Sequence, residues 1–118
     1  MRTLALSVAV VLFGALGASA MDLNGTYDVQ GTTFGGSAYG GTAEITMSSA
    51  DTCRVTWYTG GDPIPGFCMF DGDTLAAAYK LDDDVGLVIY KIRDDGVLDG
   101  LWTIADQDGV GTEVLTPR

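Results

Sequence analysis

From residue 25 onward the chain is a succession of short runs rich in Thr, Val, Ile, Tyr and Trp, each ended by Gly or Asp, with no amphipathic helix of useful length between them. The runs fall at residues 25–31, 39–48, 53–59, 64–70, 73–80, 85–92, 96–105 and 109–116, and such a pattern reads as all-β. Connections of about two to eight residues suit an antiparallel meander. A meander of eight strands either closes into an up-and-down barrel, the architecture of avidins and lipocalins, or forms a sandwich with two edges to protect. The closed barrel, which leaves no edge, is the expectation.

The third and fourth runs set their own register. Thr59-Gly60-Gly61-Asp62 is a two-residue hairpin signal that needs positive φ at both glycines. It places Cys53 opposite Cys68, Val55 opposite Gly66 and Trp57 opposite Ile64. Turn and cysteines therefore select one pairing. A Cys53–Cys68 disulfide closes a loop of about sixteen residues, which chain entropy values at roughly 3 kcal/mol. Pro63 and Pro65 lack the N–H that a further neighbour would need, so this end of the fourth strand should be unpaired on its outer side.

An even number of cysteines fits an oxidising compartment, and the first twenty residues agree. Arg2, the apolar stretch from Leu4 to Leu16, and Ala18-Ser19-Ala20 form a signal-peptide pattern, with cleavage expected after Ala20. About thirteen apolar residues fall short of the roughly twenty that a membrane-spanning helix requires. The expected product is a single domain, residues 21–118, without a membrane anchor. A periplasmic or secreted location in a Gram-negative bacterium follows from the same segment.

Alternation assigns an inner face to Tyr27 and Val29, to Ala43, Ile45 and Met47, to Cys53, Val55 and Trp57, and to Leu98, Gly100, Trp102 and Ile104. An eight-stranded barrel is just wide enough to be filled by side chains or to hold one small ligand. Tyr27, Trp57, Trp102 and Phe70 would fill it, whereas Ala43, Gly66, Ala77 and Gly100 leave room, so both outcomes stand open. The sixth run is apolar on both faces, through Leu87, Val88, Ile89 and Tyr90. Its outer pair, Leu87 and Ile89, marks a candidate apolar interface, and a homodimer is one way to cover it.

Sixteen acids against six bases give a formal charge of −10, and loss of Arg2 with the export segment moves it to −11. That balance excludes an ordinary nucleic-acid binder, because phosphate contacts need clustered Lys and Arg. In a meander the connections alternate between the two barrel ends. Asp62, Asp82, Asp83, Asp84, Asp106 and Asp108 accordingly gather at one end as a candidate acidic binding surface for a basic partner. Calcium is an alternative reading of these acids, although Asp106-Gln107-Asp108-Gly109 is only a fragment of a calcium loop, with Glu113 too early to complete it. No cofactor is otherwise indicated. Histidine is absent, both cysteines are expected to be oxidised, and no carboxylate pair sits in a recognisable groove, so enzymatic activity is not expected.

Several blocks carry a family resemblance. Gly25-Thr26-Tyr27, the stretch from Thr52 to Trp57, Phe67-Cys68-Met69, the stretch from Gly86 to Tyr90, the long block from Asp95 to Asp106, and the stretch from Gly111 to Pro117 resemble small exported bacterial proteins that carry the label fibronectin-binding protein. The likeness spans essentially the whole expected domain. It implies a non-enzymatic binding protein whose partner is another protein, such as fibronectin. Two alternatives accompany it: a carrier of a small apolar ligand inside the barrel, and a periplasmic inhibitor of a basic hydrolase such as lysozyme, drawn in by the acidic field.

Overall fold

The computed structural model describes residues 21–118; the expected export segment, residues 1–20, lies outside the described residues. Eight strands follow in order: β1 (Gly25–Thr32), β2 (Ala38–Met47), β3 (Thr52–Tyr58), β4 (Ile64–Asp71), β5 (Thr74–Leu81), β6 (Asp84–Ile92), β7 (Leu98–Ile104) and β8 (Gly111–Pro117). Each pairs antiparallel with the next, and β8 pairs back onto β1 from Tyr27–Pro117 to Thr32–Thr112, closing the barrel. It is the up-and-down eight-stranded architecture that the run pattern predicts.

Period-two alternation is the local cause. In β6, Gly86, Val88, Tyr90 and Ile92 are buried while Val85, Leu87, Ile89 and Lys91 face out. In β3 the buried set is Cys53, Val55 and Trp57. Tight turns join the strands where the residue chemistry allows positive φ. Gly72 at φ 60° opens the β4–β5 turn and Asp82 at φ 54° the β5–β6 turn, since Gly and Asp tolerate this region.

The β3–β4 ladder has the register set by its cysteines, with Cys53 opposite Cys68, Val55 opposite Gly66 and Trp57 opposite Ile64. The disulfide is formed, with Cα atoms 4.9 Å apart. Gly60 and Gly61 both have positive φ, but the two-residue turn expected here is not tight. The ladder ends at Trp57–Ile64, and among the described residues no backbone bond closes Thr59 on Asp62. The connection therefore widens at this end of the barrel. Beyond it the prolines act as expected: β4 meets β5 only from Gly66–Tyr79 onward, although β5 continues to Leu81.

Two boundaries shift for local reasons. Gly96, at φ 85°, turns back with its N–H on the Arg93 carbonyl, so β7 starts at Leu98 rather than at residue 96. Gly109, at φ 118°, keeps the chain in the β7–β8 loop, where Thr103 Oγ1 donates to its carbonyl at 2.8 Å. β8 accordingly begins at Gly111.

The interior is packed toward the end of the barrel where β1 begins. Leu75, Leu98, Leu115 and Cys53 are almost wholly buried there, and Leu23 lies over Tyr27, whose hydroxyl donates to the Leu23 carbonyl at 2.7 Å. Toward the other end the filling changes from aliphatic to aromatic. Tyr39, Ile64, Tyr79 and Trp102 are only partly buried there and pack against the core from above.

Candidate functional site: a carboxylate inside the barrel

β8 alternates Gly111, Glu113 and Leu115 inward against Thr112, Val114 and Thr116 outward. Glu113 is thereby carried into the barrel, where it is 6% exposed and is the buried charged residue among the described residues. Taking a carboxylate out of water costs several kcal/mol unless donors replace the lost solvent. Three do. The Tyr39 hydroxyl donates to Oε1 at 2.7 Å, the Trp57 indole Nε1–H to Oε2 at 2.9 Å, and the Tyr90 hydroxyl also to Oε2.

The sheet register explains why these groups converge. One line of directly paired residues crosses five strands: Tyr39 on β2, Gly31 on β1, Glu113 on β8, Gly100 on β7 and Tyr90 on β6. Glutamate sits in the middle, a glycine on either side, a tyrosine beyond each glycine. A Cβ added at Gly31 would overlap the Tyr39 ring, and one at Gly100 would overlap the Tyr90 ring. The missing side chains let each ring lean over its neighbour and bring its hydroxyl to the carboxylate. Trp57 completes the set from β3, across the barrel. The same device recurs at Gly86 under Tyr79 and Gly111 under Trp102, both direct cross-strand pairs.

Above the carboxylate lies a cavity of about 220 Å³ lined chiefly by apolar and aromatic groups, among them Tyr39, Trp57, Ile64, Tyr79, Val88 and Trp102, with Glu113 contributing the charge. Thr33, Thr59 and Leu81 of the adjoining strand ends also line it, so it opens toward the β1–β2, β3–β4 and β5–β6 connections. Trp57 and Tyr79 meet edge to face at 5.2 Å, and Phe34 from the β1–β2 loop stacks on Trp102 at 4.8 Å. The tyrosine hydroxyls resist ionisation. Burial, then the Glu113 charge, pushes Tyr79 up to about 12 and moves Tyr39 and Tyr90 in the same direction. No ion pair involves Glu113 among the described residues; the three salt bridges, Lys91–Asp73, Arg93–Asp95 and Arg118–Asp28, are all exposed.

The residues singled out from sequence fall into distinct places. Trp57 and Trp102 line the cavity, whereas Tyr27 belongs to the packed end. Asp62, Asp82, Asp83, Asp84, Asp106 and Asp108 are exposed at the end where the cavity opens, in or beside its loops. Among the described residues no three carboxylates converge on a metal-sized site, so the calcium reading finds no ligand set. Leu87 and Ile89 are exposed at 57% and 56% on the outer wall. Through the register they join Phe67 and Ala78 in one row and Met69, Ala76 and Leu101 in the next, an apolar strip across β4–β7.

Sequence reading missed Glu113 as a site residue, together with Tyr39, Tyr79 and Tyr90. A signal was present in β8, where Glu113 shares its parity with Gly111 and Leu115. Val114 on the opposite parity is also apolar, which left the strand's inner face ambiguous.

A closed antiparallel eight-stranded barrel, packed at one end and open over a buried carboxylate at the other, is the class of fold that the described residues define. No family and no curated protein matches the chain. Solved structures similar to it are barrels. A redesigned beta barrel aligns with TM-score 0.67 and 22% identity over 85% of this chain and 99% of that one. The structure of EF1p2_mFAP2b bound to DFHBI aligns with TM-score 0.65 and 19% identity over 81% and 94%. A structure described as the REP1-NXSQ fatty acid transporter aligns with TM-score 0.53 and 16% identity over 82% and 96%. At these identities the likeness establishes the fold.

Proposed function

We propose that this protein is a non-enzymatic binder that holds a small ligand inside the open half of its barrel. The observation carrying this reading is the cavity itself: aromatic walls with a few convergent polar groups around Glu113 are the make-up of a ligand site. A volume of about 220 Å³ lies below the roughly 300–1,000 Å³ of drug-sized pockets, so the ligand is small. Two structural neighbours support the reading by analogy, one being bound to DFHBI and another named a fatty acid transporter. The interior site displaces the protein-partner reading from first place, because it has a built lining whereas the exposed acids converge on nothing. The Cys53–Cys68 disulfide agrees with an exported, oxidising location for this activity.

Native mass spectrometry of the gently purified protein tests the proposal. A non-covalent adduct should accompany the wild-type protein and be absent from Ile64→Phe, which fills the cavity from its wall. An adduct that persists unchanged in Ile64→Phe would place the ligand elsewhere, and wild-type protein that neither carries nor takes up any small molecule would overturn the reading.

A further inference from the structure

The chemistry of the cavity narrows the ligand class. Glu113 receives three hydrogen bonds from neutral groups, and the Trp57 indole can only donate. That donor set suits a carboxylate in its acceptor form, yet no cation accompanies it. Lys91, Arg93 and Arg118 are engaged in exposed ion pairs, and no Lys or Arg is among the cavity-lining residues. The Glu113 carboxyl is therefore held by neutral groups alone in a poorly solvated site, with no Lys or Arg beside it. Around it stand Tyr39, Trp57, Tyr79 and Trp102, whose ring faces carry negative potential and attract cations. At the open end lie Asp62, Asp82, Asp83, Asp84, Asp106 and Asp108, which add a field of the same sign at the mouth.

We infer that the ligand is a small organic cation, an ammonium group on a compact apolar body, with its charge directed to Glu113 and its body packed among the four aromatic rings. This rests on the reading that the barrel interior is a ligand site. The mouth acids would raise the local concentration of such a cation and repel anions. A fatty-acid carboxylate would meet like charge both at the mouth and at Glu113, so the ligand class differs from that named for the fatty acid transporter of the same fold. Size argues the same way, since about 220 Å³ leaves little space for a long acyl chain.

Both tryptophans of the chain line the cavity, so intrinsic fluorescence reports its occupancy directly. The purified protein would be titrated with choline and benzyltrimethylammonium, with 3,3-dimethylbutanol as the uncharged isostere of choline, and with laurate. Choline is expected to bind about tenfold or more tightly than its neutral isostere, within the range of a desolvated cation–π contact. Glu113→Gln should lose most of that preference while keeping the wild-type circular dichroism. Should that variant fail to fold, the comparison of choline with its isostere on the wild-type protein decides alone. Equal binding of the two, or tighter binding of laurate, would overturn the cationic ligand and leave the interior site standing. If none of the four probes changes the fluorescence or binds by calorimetry, the cationic ligand class falls, while the interior-site reading is decided by the mass-spectrometric comparison of wild type with Ile64→Phe.

Discussion

The indole N–H of Trp57 on β3 reaches across the barrel to Oε2 of Glu113 on β8 at 2.9 Å, joining residues 56 positions apart in the chain. Because that N–H cannot accept a hydrogen bond, the acidic side chain opposite it has to present an oxygen. Glu113→Gln can keep its carbonyl toward Trp57 and Tyr90 and turn its amide to the Tyr39 hydroxyl, which can reverse its role. Glu113→Leu offers no acceptor. Urea unfolding should show the Gln variant within about 1 kcal/mol of wild type and the Leu variant destabilised by about 1–3 kcal/mol, the cost of stranding a buried donor.

Gly100 is required for space. A Cβ there would overlap the Tyr90 ring and press on the Ile89 carbonyl, and neither can move without disturbing the Tyr90–Glu113 bond. Gly100→Ala should lose about 1–3 kcal/mol, as overpacked cores do. Gly35 in the β1–β2 loop has nothing within 4 Å of an added Cβ, and Gly35→Ala should be close to neutral. Thermal melts of the two variants check the contrast.

Alkali should attack the interior through its tyrosines. Burial and then Glu113 raise Tyr39, Tyr79 and Tyr90 above the ordinary value of 10.0, with Tyr79 reaching about 12. A raised folded-state value favours the protonated hydroxyl in the native barrel. Its stabilising effect is complete below pH 10, falls as the unfolded chain begins to ionise there, and is lost as pH rises through the folded values. Tyrosinate absorbance should therefore rise for the interior tyrosines together with loss of the β-sheet circular dichroism. Full ionisation at pH 11 with intact dichroism would contradict the buried network.

Reduction should weaken the barrel without altering its topology. Cys53 and Cys68, 15 residues apart, sit on adjacent β3 and β4 positions in the packed half, away from the cavity lining. A loop of this length contributes about 3 kcal/mol by the chain-entropy argument. The urea midpoint should fall by the corresponding amount in reductant, with the β-sheet spectrum retained at low urea.

Much of the fold was legible because its determinants are local. Alternation in β3 and β7 identified Trp57 and Trp102 as inward, and Cys53, Cys68 and the two glycines at 60 and 61 set the β3–β4 register. The positions of Pro63 and Pro65 announced where β4 and β5 part. Locality failed at the β3–β4 turn, which no backbone bond among the described residues closes between Thr59 and Asp62, and at the start of β8, where the Thr103–Gly109 contact holds the chain in the loop.

The site belongs to the other category. Read alone, β8 gives Glu113 one parity shared with Leu115, against Val114 on the other, and nothing local says which faces inward. Closure decides it. Only when β8 pairs with both β1 and β7 does Glu113 come to lie between Gly31 and Gly100, with Tyr39 and Tyr90 beyond them and Trp57 opposite. The sequence by itself determined the strands, their alternation, the disulfide hairpin and the acidic balance, since hydrophobic period and turn chemistry act between near neighbours. The tertiary structure alone decided that one of the sixteen acids is buried and that half of the barrel stays open above it, because donors drawn from three other strands are what allow a carboxylate to leave water.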